Sequence, residues 1–83
     1  MELQWSPKAW DEYLEWQTED KKTLRRINSL IKSIERNKKP IGKPELLKGS
    51  KQGLSSARID SKNRLVYKID GQVLRIVSCK GHY

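Results

Sequence analysis

The chain is predicted to fold as α+β, with two N-terminal helices packed on an antiparallel sheet in the order β-α-α-β-β-β. Three observations lead there. Leu24, Ile27, Leu30, Ile31 and Ile34 recur at helical spacing and form one apolar stripe. Beyond Gly53 the period changes to two: Leu65, Tyr67 and Ile69 point one way while Arg64, Val66 and Lys68 point the other. Turn-forming Asp60-Ser61-Lys62-Asn63 and Asp70-Gly71 divide that stretch into three segments. At 83 residues the chain is expected to form a single domain spanning 1–83, with any active site on the surface of one core.

Leu3–Trp5 reads as an edge strand. Ser6-Pro7 then starts a helix, because the Ser oxygen can accept from free backbone N–H groups and Pro at the first helical position has no N–H to leave unpaired. That helix should run to about Gln17, with Trp10, Tyr13, Leu14 and Gln17 at helical spacing and Trp5 beside them as core rather than a base-stacking platform. Thr18-Glu19-Asp20 supplies a cap and early negative charge for the second helix, which must end before Asn37-Lys38-Lys39-Pro40. The outer face of this helix carries Lys22, Arg25, Ser29, Lys32 and Arg36, either as a solvated face or as a contact for an RNA backbone. Pro40 to Gly53 reads as an irregular connector, punctuated by Pro40, Gly42, Pro44, Gly49 and Gly53 and tied to the core by Leu46-Leu47. Strands are expected at Ser55–Asp60, Arg64–Ile69 and Gln72–Cys79, forming a meander with one face on the helices and the other carrying cations.

Charge is segregated along the chain. Residues 1–37 hold seven Lys/Arg and seven Asp/Glu, so the whole net charge of +8 falls in residues 38–83, where the only acids are Glu45, Asp60 and Asp70. A concentrated positive field attracts a polyanion and speeds its encounter, which favours a nucleic-acid partner. Cys79 is the single cysteine and His82 the single histidine, so no internal disulfide can form and the pool of soft metal ligands is small. No cofactor or metal is expected. No apolar run approaches the roughly 18 residues of a membrane span. The start Met1-Glu2-Leu3-Gln4-Trp5 lacks the basic and apolar regions of a signal peptide. A cytoplasmic protein without a membrane partner is expected.

Few residues could supply acid–base chemistry. His82, with an ordinary pKa of about 6.5, would shuttle protons at neutral pH, and it follows a strand expected to lie beside the one that begins at Arg64. Glu45 is the only acid between Glu35 and Asp60, and Lys43 and Lys48 flank it. It is either one member of a surface ion pair or a general base that takes the proton of a ribose 2′-OH. By pattern alone the chain reads as a basic α+β domain, with a nucleic-acid partner expected over a Lys-rich surface that merely keeps a small domain soluble.

Longer motifs carry a family resemblance. Trp5-Ser6, Ala9-Trp10-Asp11-Glu12-Tyr13-Leu14-Glu15-Trp16-Gln17, Ile27-Asn28, Leu30-Ile31-Lys32, Gly42-Lys43-Pro44-Glu45-Leu46-Leu47-Lys48, Arg58-Ile59, Asn63-Arg64-Leu65-Val66-Tyr67 and the terminal His82-Tyr83 resemble the YoeB toxins of the RelE superfamily, in order and over essentially all 83 residues. The resemblance implies a RelE-like microbial ribonuclease fold. It further implies an enzyme that enters the ribosomal A site and cuts messenger RNA without a metal, leaving a 2′,3′-cyclic phosphate and a 5′-OH. Carried over by residue, it makes Glu45 the base, His82 the acid, Arg64 the clamp on the charged phosphorane, and Tyr83 and Lys48 residues that position substrate. The charge reading adds Lys43, Lys48, Arg58, Lys22 and Arg25 as candidate RNA contacts. It implies a cognate YefM-like antitoxin as partner and admits a homodimer. The sequence departs from the family pattern at Ser55 and Ala57, where an aromatic and an Arg are usual, at Lys62 in place of Glu, at Leu46 in place of Pro, and in a connector one residue shorter. A non-catalytic RNA- or ribosome-binding module, or a decayed toxin, would share the same charge and stands as the alternative.

Overall fold

The computed structural model describes residues 1–36, 41–49 and 53–81. Its elements are β1 (Glu2–Trp5), α1 (Pro7–Glu19), α2 (Lys21–Glu35), β2 (Glu45–Leu46), β3 (Ser55–Arg58), β4 (Arg64–Asp70) and β5 (Val73–Ser78).

Ser6 starts α1 as its sequence suggests. Its Oγ accepts from the Ala9 N–H at 3.0 Å and donates to the Val77 carbonyl at 2.8 Å, so the cap also pins the helix to β5. Asp20 then serves two helices. Its N–H donates to the Trp16 carbonyl at 3.0 Å to close α1, and its carboxylate accepts from the N–H groups of Lys22 and Thr23 to open α2. The Thr23 hydroxyl, 2.8 Å from Asp20 Oδ2, and these backbone donors hold the Asp20 carboxyl below its ordinary range. With one residue serving as both caps, α1 continues to Glu19, two residues beyond the expected end.

The apolar stripe of α2 is buried as predicted at Ile27, Leu30, Ile31 and Ile34, with Leu24 partly covered. The buried face of α1 differs from expectation. Ala9, Glu12 and Trp16 face inward, Tyr13 is partly buried, and Trp10 and Leu14 are 45% and 42% exposed. Ala9, Glu12, Tyr13 and Trp16 also obey helical spacing, and polar satisfaction decides between the two faces. Glu12 accepts from the Cys79 N–H at 2.8 Å, and the Trp16 indole N–H donates to the Cys79 carbonyl at 2.9 Å. Trp5, Trp10 and Tyr13 instead form an edge and stacked cluster on the rim, with centroids 4.6 to 6.0 Å apart.

The sheet has five strands in the order β1-β5-β4-β3-β2. The β3-β4-β5 meander is antiparallel, and β1 is an edge strand as expected, but it runs parallel to β5, so the sheet is mixed rather than wholly antiparallel. Residue alternation records which face a side chain takes and not the direction of the neighbouring strand. Ala57, Leu65, Tyr67, Leu74 and Ile76 pack beneath the helices. Ile69 leaves the predicted core at 47% exposure near the end of β4, although its cross-strand partner Leu74 is fully buried. Val66 and Ser56, opposite one another on the far face, are nevertheless buried. A bulge between Val66 and Tyr67 skips Val77 in the ladder, and the carbonyl so displaced is the one that accepts from Ser6. The expected irregular connector contains β2, which pairs antiparallel with β3; Leu47 is buried, but Leu46 is 76% exposed and ties nothing to the core. Among the described residues, no helix is long and apolar enough to cross a membrane.

Candidate functional site

Two consecutive residues in the left-handed region, Gly42 at φ 83° and Lys43 at φ 47°, turn the chain toward β2. Gly42 is required there by close approach as well as by φ, since a Cβ would lie 2.7 Å from Leu30 Cδ2. Its carbonyl accepts from the Arg58 N–H at 2.9 Å, which fixes the turn against β3. Glu45 then pairs in register with Ser56, and Arg58 with Arg64, so three neighbouring strands present their side chains at one end of the sheet.

Arg64 is held through two different nitrogens. Nε donates to the buried Ser56 Oγ at 2.9 Å, and Nη2 lies 3.3 Å from Glu45 Oε1. The Arg64 side chain is 19% exposed and the Glu45 side chain 55% exposed, so the guanidinium is sheltered while the carboxylate opens to solvent. Around them lies a cleft of about 390 Å³ lined by Arg26, Gly42, Lys43, Glu45, Arg58 and Arg64. Among the described residues it brings four cations together around one carboxylate. That arrangement is chemically suited to an anion, with a single carboxylate beside it that could accept a proton. A larger groove of about 610 Å³ runs along α2 past Asn28, Ser29, Lys32, Ser33, Arg36 and Ile41, but its described lining contains no carboxylate or imidazole, so volume does not mark it as a reacting centre.

The structure thus brings together four of the predicted residues: Glu45, Arg64, Lys43 and Arg58. Glu45 lies on a strand rather than in an irregular connector, which gives a candidate base a fixed position. Lys48 lines a separate groove with Leu46, Leu47, Gly49 and Gly53. Lys22 and Arg25 are exposed on α2 outside the cleft. His82 and Tyr83 lie outside the described residues. The residue bonded to His82 is described, and both its backbone polar groups meet the start of β4: the Gly81 N–H donates to Asn63 Oδ1 at 2.7 Å, and its carbonyl accepts from the Arg64 N–H at 3.1 Å.

Sequence reading missed Arg26 and Ser56. Arg26 Nη2 donates to the Arg58 carbonyl at 3.1 Å and so reaches across from α2 to the cleft. Its signal was its position one turn before Leu30, on the border of the apolar stripe and not on the outer face that holds Arg25. Ser56 gave no signal, because a small hydroxyl in a short strand is indistinguishable from an ordinary surface serine until its cross-strand neighbours are known.

Residues 5–83 match the family model described as a YoeB-like toxin of a bacterial type II toxin–antitoxin system. Toxin YoeB of Escherichia coli K12 is 44% identical over 84 residues, covering 100% of both chains. Among solved structures, the YoeB/ParE toxin from Agrobacterium tumefaciens superposes with a TM-score of 0.93 at 40% identity, covering 100% of both chains. A Staphylococcus aureus YoeB in complex with YefM superposes at 0.91 with 44% identity over 100% of this chain and 98% of that one. The S. aureus protein is also known as a dimer. With its full length aligned at this identity and its fold shared throughout, the chain belongs to the YoeB-like toxin family of bacterial type II toxin–antitoxin systems.

Proposed function

We propose that this toxin is a metal-independent endoribonuclease that enters the ribosomal A site, cuts messenger RNA and halts translation in the cytoplasm. The observation that carries the reading is the pairing of one carboxylate with one sheltered guanidinium at 3.3 Å in a cleft otherwise lined by cations. Glu45 takes the proton of the ribose 2′-OH, whose oxygen attacks the adjacent phosphorus. Arg64 meets the charge that grows on the non-bridging oxygens, for which its planar fork is suited. His82 gives a proton to the departing 5′ oxygen, and Tyr83 positions the substrate. The products are a 2′,3′-cyclic phosphate and a 5′-OH. Lys43 and Arg58 hold flanking phosphates, while Lys22, Arg25 and Lys48 extend the positive surface outside the cleft.

Its partner when inactive is a YefM-like antitoxin, as in the S. aureus complex, whose acidic or extended segment covers the cationic cleft. By the same likeness the free toxin can form a homodimer. The test is product analysis by mass spectrometry on intact programmed ribosomes. A 2′-deoxy substitution at the cut nucleotide should abolish cleavage and leave binding unchanged, and EDTA added without dissociating the ribosome should have no effect. A 3′-hydroxyl product, or normal cutting of the deoxy substrate, would reject the mechanism; binding without any cleavage would identify a non-catalytic module.

A further inference from the structure

Asn63 bridges two groups that the proposed reaction does not otherwise connect. Its Oδ1 accepts from the Gly81 N–H at 2.7 Å, while its Nδ2 donates to both oxygens of Asp60 at 3.1 Å. Asp60 Oδ1 accepts in addition from the N–H groups of Lys62 and Asn63 at 2.8 and 2.7 Å. The carboxylate therefore fixes which way the amide points, since only the oxygen of Asn63 remains to face Gly81. Gly81 adopts φ 83° and is clamped on its other side by the Arg64 N–H. The next residue in the chain is His82.

We infer that Asn63, oriented by Asp60, is a positioning residue for the general acid: it fixes Gly81, the residue bonded to His82, in the same hydrogen-bonded frame as Arg64. The inference rests on the reading of His82 as the acid. In that step the 2′ oxygen bonds to phosphorus as the P–O5′ bond breaks, Glu45 takes the 2′ proton, and His82 transfers one proton to the leaving 5′ oxygen. A positioned acid contributes about 10²- to 10⁴-fold to rate, and small displacements forfeit much of such a factor. Asn63 touches no reacting atom, so its removal should slow the chemical step and spare binding.

The experiment compares Asn63→Ala, Asn63→Asp, the exchanged pair Asp60→Asn with Asn63→Asp, and His82→Gln, using the full chain on programmed ribosomes with melting temperatures recorded for each. Asn63→Ala should lower the single-turnover rate about 10- to 100-fold with ribosome affinity unchanged. Asn63→Asp places two carboxylates in contact and should be at least as slow. The exchanged pair restores both an acceptor for Gly81 and a donor between the two side chains, and should recover to within about threefold of the parent. A substrate with sulfur in place of the bridging 5′ oxygen leaves as a thiolate and needs no acid. His82→Gln and Asn63→Ala should both cleave it at close to the parent rate, which a general loss of stability would not produce. Recovery of His82→Gln without recovery of Asn63→Ala would overturn the inference and leave His82 as the acid. Failure of His82→Gln itself to recover would overturn the reading of His82 and the inference with it. An exchanged pair that melts like the parent yet stays slow would also overturn the role assigned to Asn63.

Discussion

Replacing Arg64 by Lys keeps the charge of the cleft and removes its geometry. In the structure Nε is occupied by Ser56 at 2.9 Å while Nη2 faces Glu45 at 3.3 Å, so one side chain meets its anchor and the carboxylate through different atoms. A lysine has one nitrogen at the end of a flexible stem and cannot serve both partners in that relation. The cost in stability should be modest. An exposed pair with Glu45 is worth less than about 1 kcal/mol, and the loss of the bond to Ser56 adds about 1–2 kcal/mol. For a domain of this size that sum, about 1–3 kcal/mol, lowers the Tm by roughly 4–24 °C. The cost in rate should be larger, about 2.7–4 kcal/mol or 10²- to 10³-fold, as for removal of one preorganised donor to developing charge. The assay is single-turnover cleavage of a programmed ribosomal complex at saturating toxin and at a temperature where the variant is folded. A rate within threefold of the parent would refute the assignment of Arg64 as an oriented clamp, because a simple positive field survives the substitution.

The other predictions follow from the same cleft and the core beneath it. Lys43→Ala and Arg58→Ala should each weaken binding to single-stranded RNA and reduce the salt slope by about 0.7, and slopes that do not change in a salt titration would remove these side chains from contact with phosphate. Gly42→Ala forces a Cβ to within 2.7 Å of Leu30 Cδ2 at φ 83° and should cost about 1–3 kcal/mol; a thermal melt within about 2 °C of the parent, half the smallest shift that 1 kcal/mol would give, would contradict the close packing described. Burial, and next the nearby Glu12 carboxylate, push the Cys79 thiol up to about 12, so it should be inert to a disulfide reagent at pH 8 until the chain unfolds. Rapid labelling of the native protein would show that the Cys79 anchor is open.

Much of the fold was legible because its signals are local. The α2 stripe, the Ser6 and Asp20 caps and the two turns of the meander each depend on residues within a few positions of one another. The buried face of α1 was not, because it is chosen by bonds from Glu12 and Trp16 to Cys79, more than 60 residues away in the chain. The parallel pairing of β1 with β5 escaped for the same reason. At the site, Glu45, Lys43, Arg58 and Arg64 were legible from motif and charge. Arg26 was passed over for Arg25, since a helix-face assignment divides residues into inside and outside and overlooks the border, where a long side chain can reach past the end of a sheet. Ser56 and Asn63 act by orienting other groups, and that role exists only once strands are paired.

The contact between Glu45 and Arg64 also bears on how such a site is kept both harmless and ready. In the free protein the proposed base and the proposed clamp are partners of one another, 3.3 Å apart. In the proposed reaction an RNA phosphate entering among the four cations would compete for the Nη edge of the guanidinium, and the bond from Nε to Ser56 would keep that guanidinium in place while the edge changed partner. The backbone of Glu45 is held by its strand pairing with Ser56, and in the proposed reaction its side chain would turn from the cation to a ribose hydroxyl. One substrate thus supplies the anion that separates the pair and the proton that the separated carboxylate takes. An acidic antitoxin side chain would satisfy the first condition alone: a carboxylate can take the place of the phosphate at Arg64 but brings no 2′-OH, so it fills the cleft without chemistry. On the proposed reading inhibition and catalysis would share an electrostatic entry and part only at the hydroxyl. An antitoxin segment whose acidic residue at this cleft is replaced by its amide should therefore lose affinity for the parent toxin, while losing far less for Arg64→Ala, where the cation it meets is already gone.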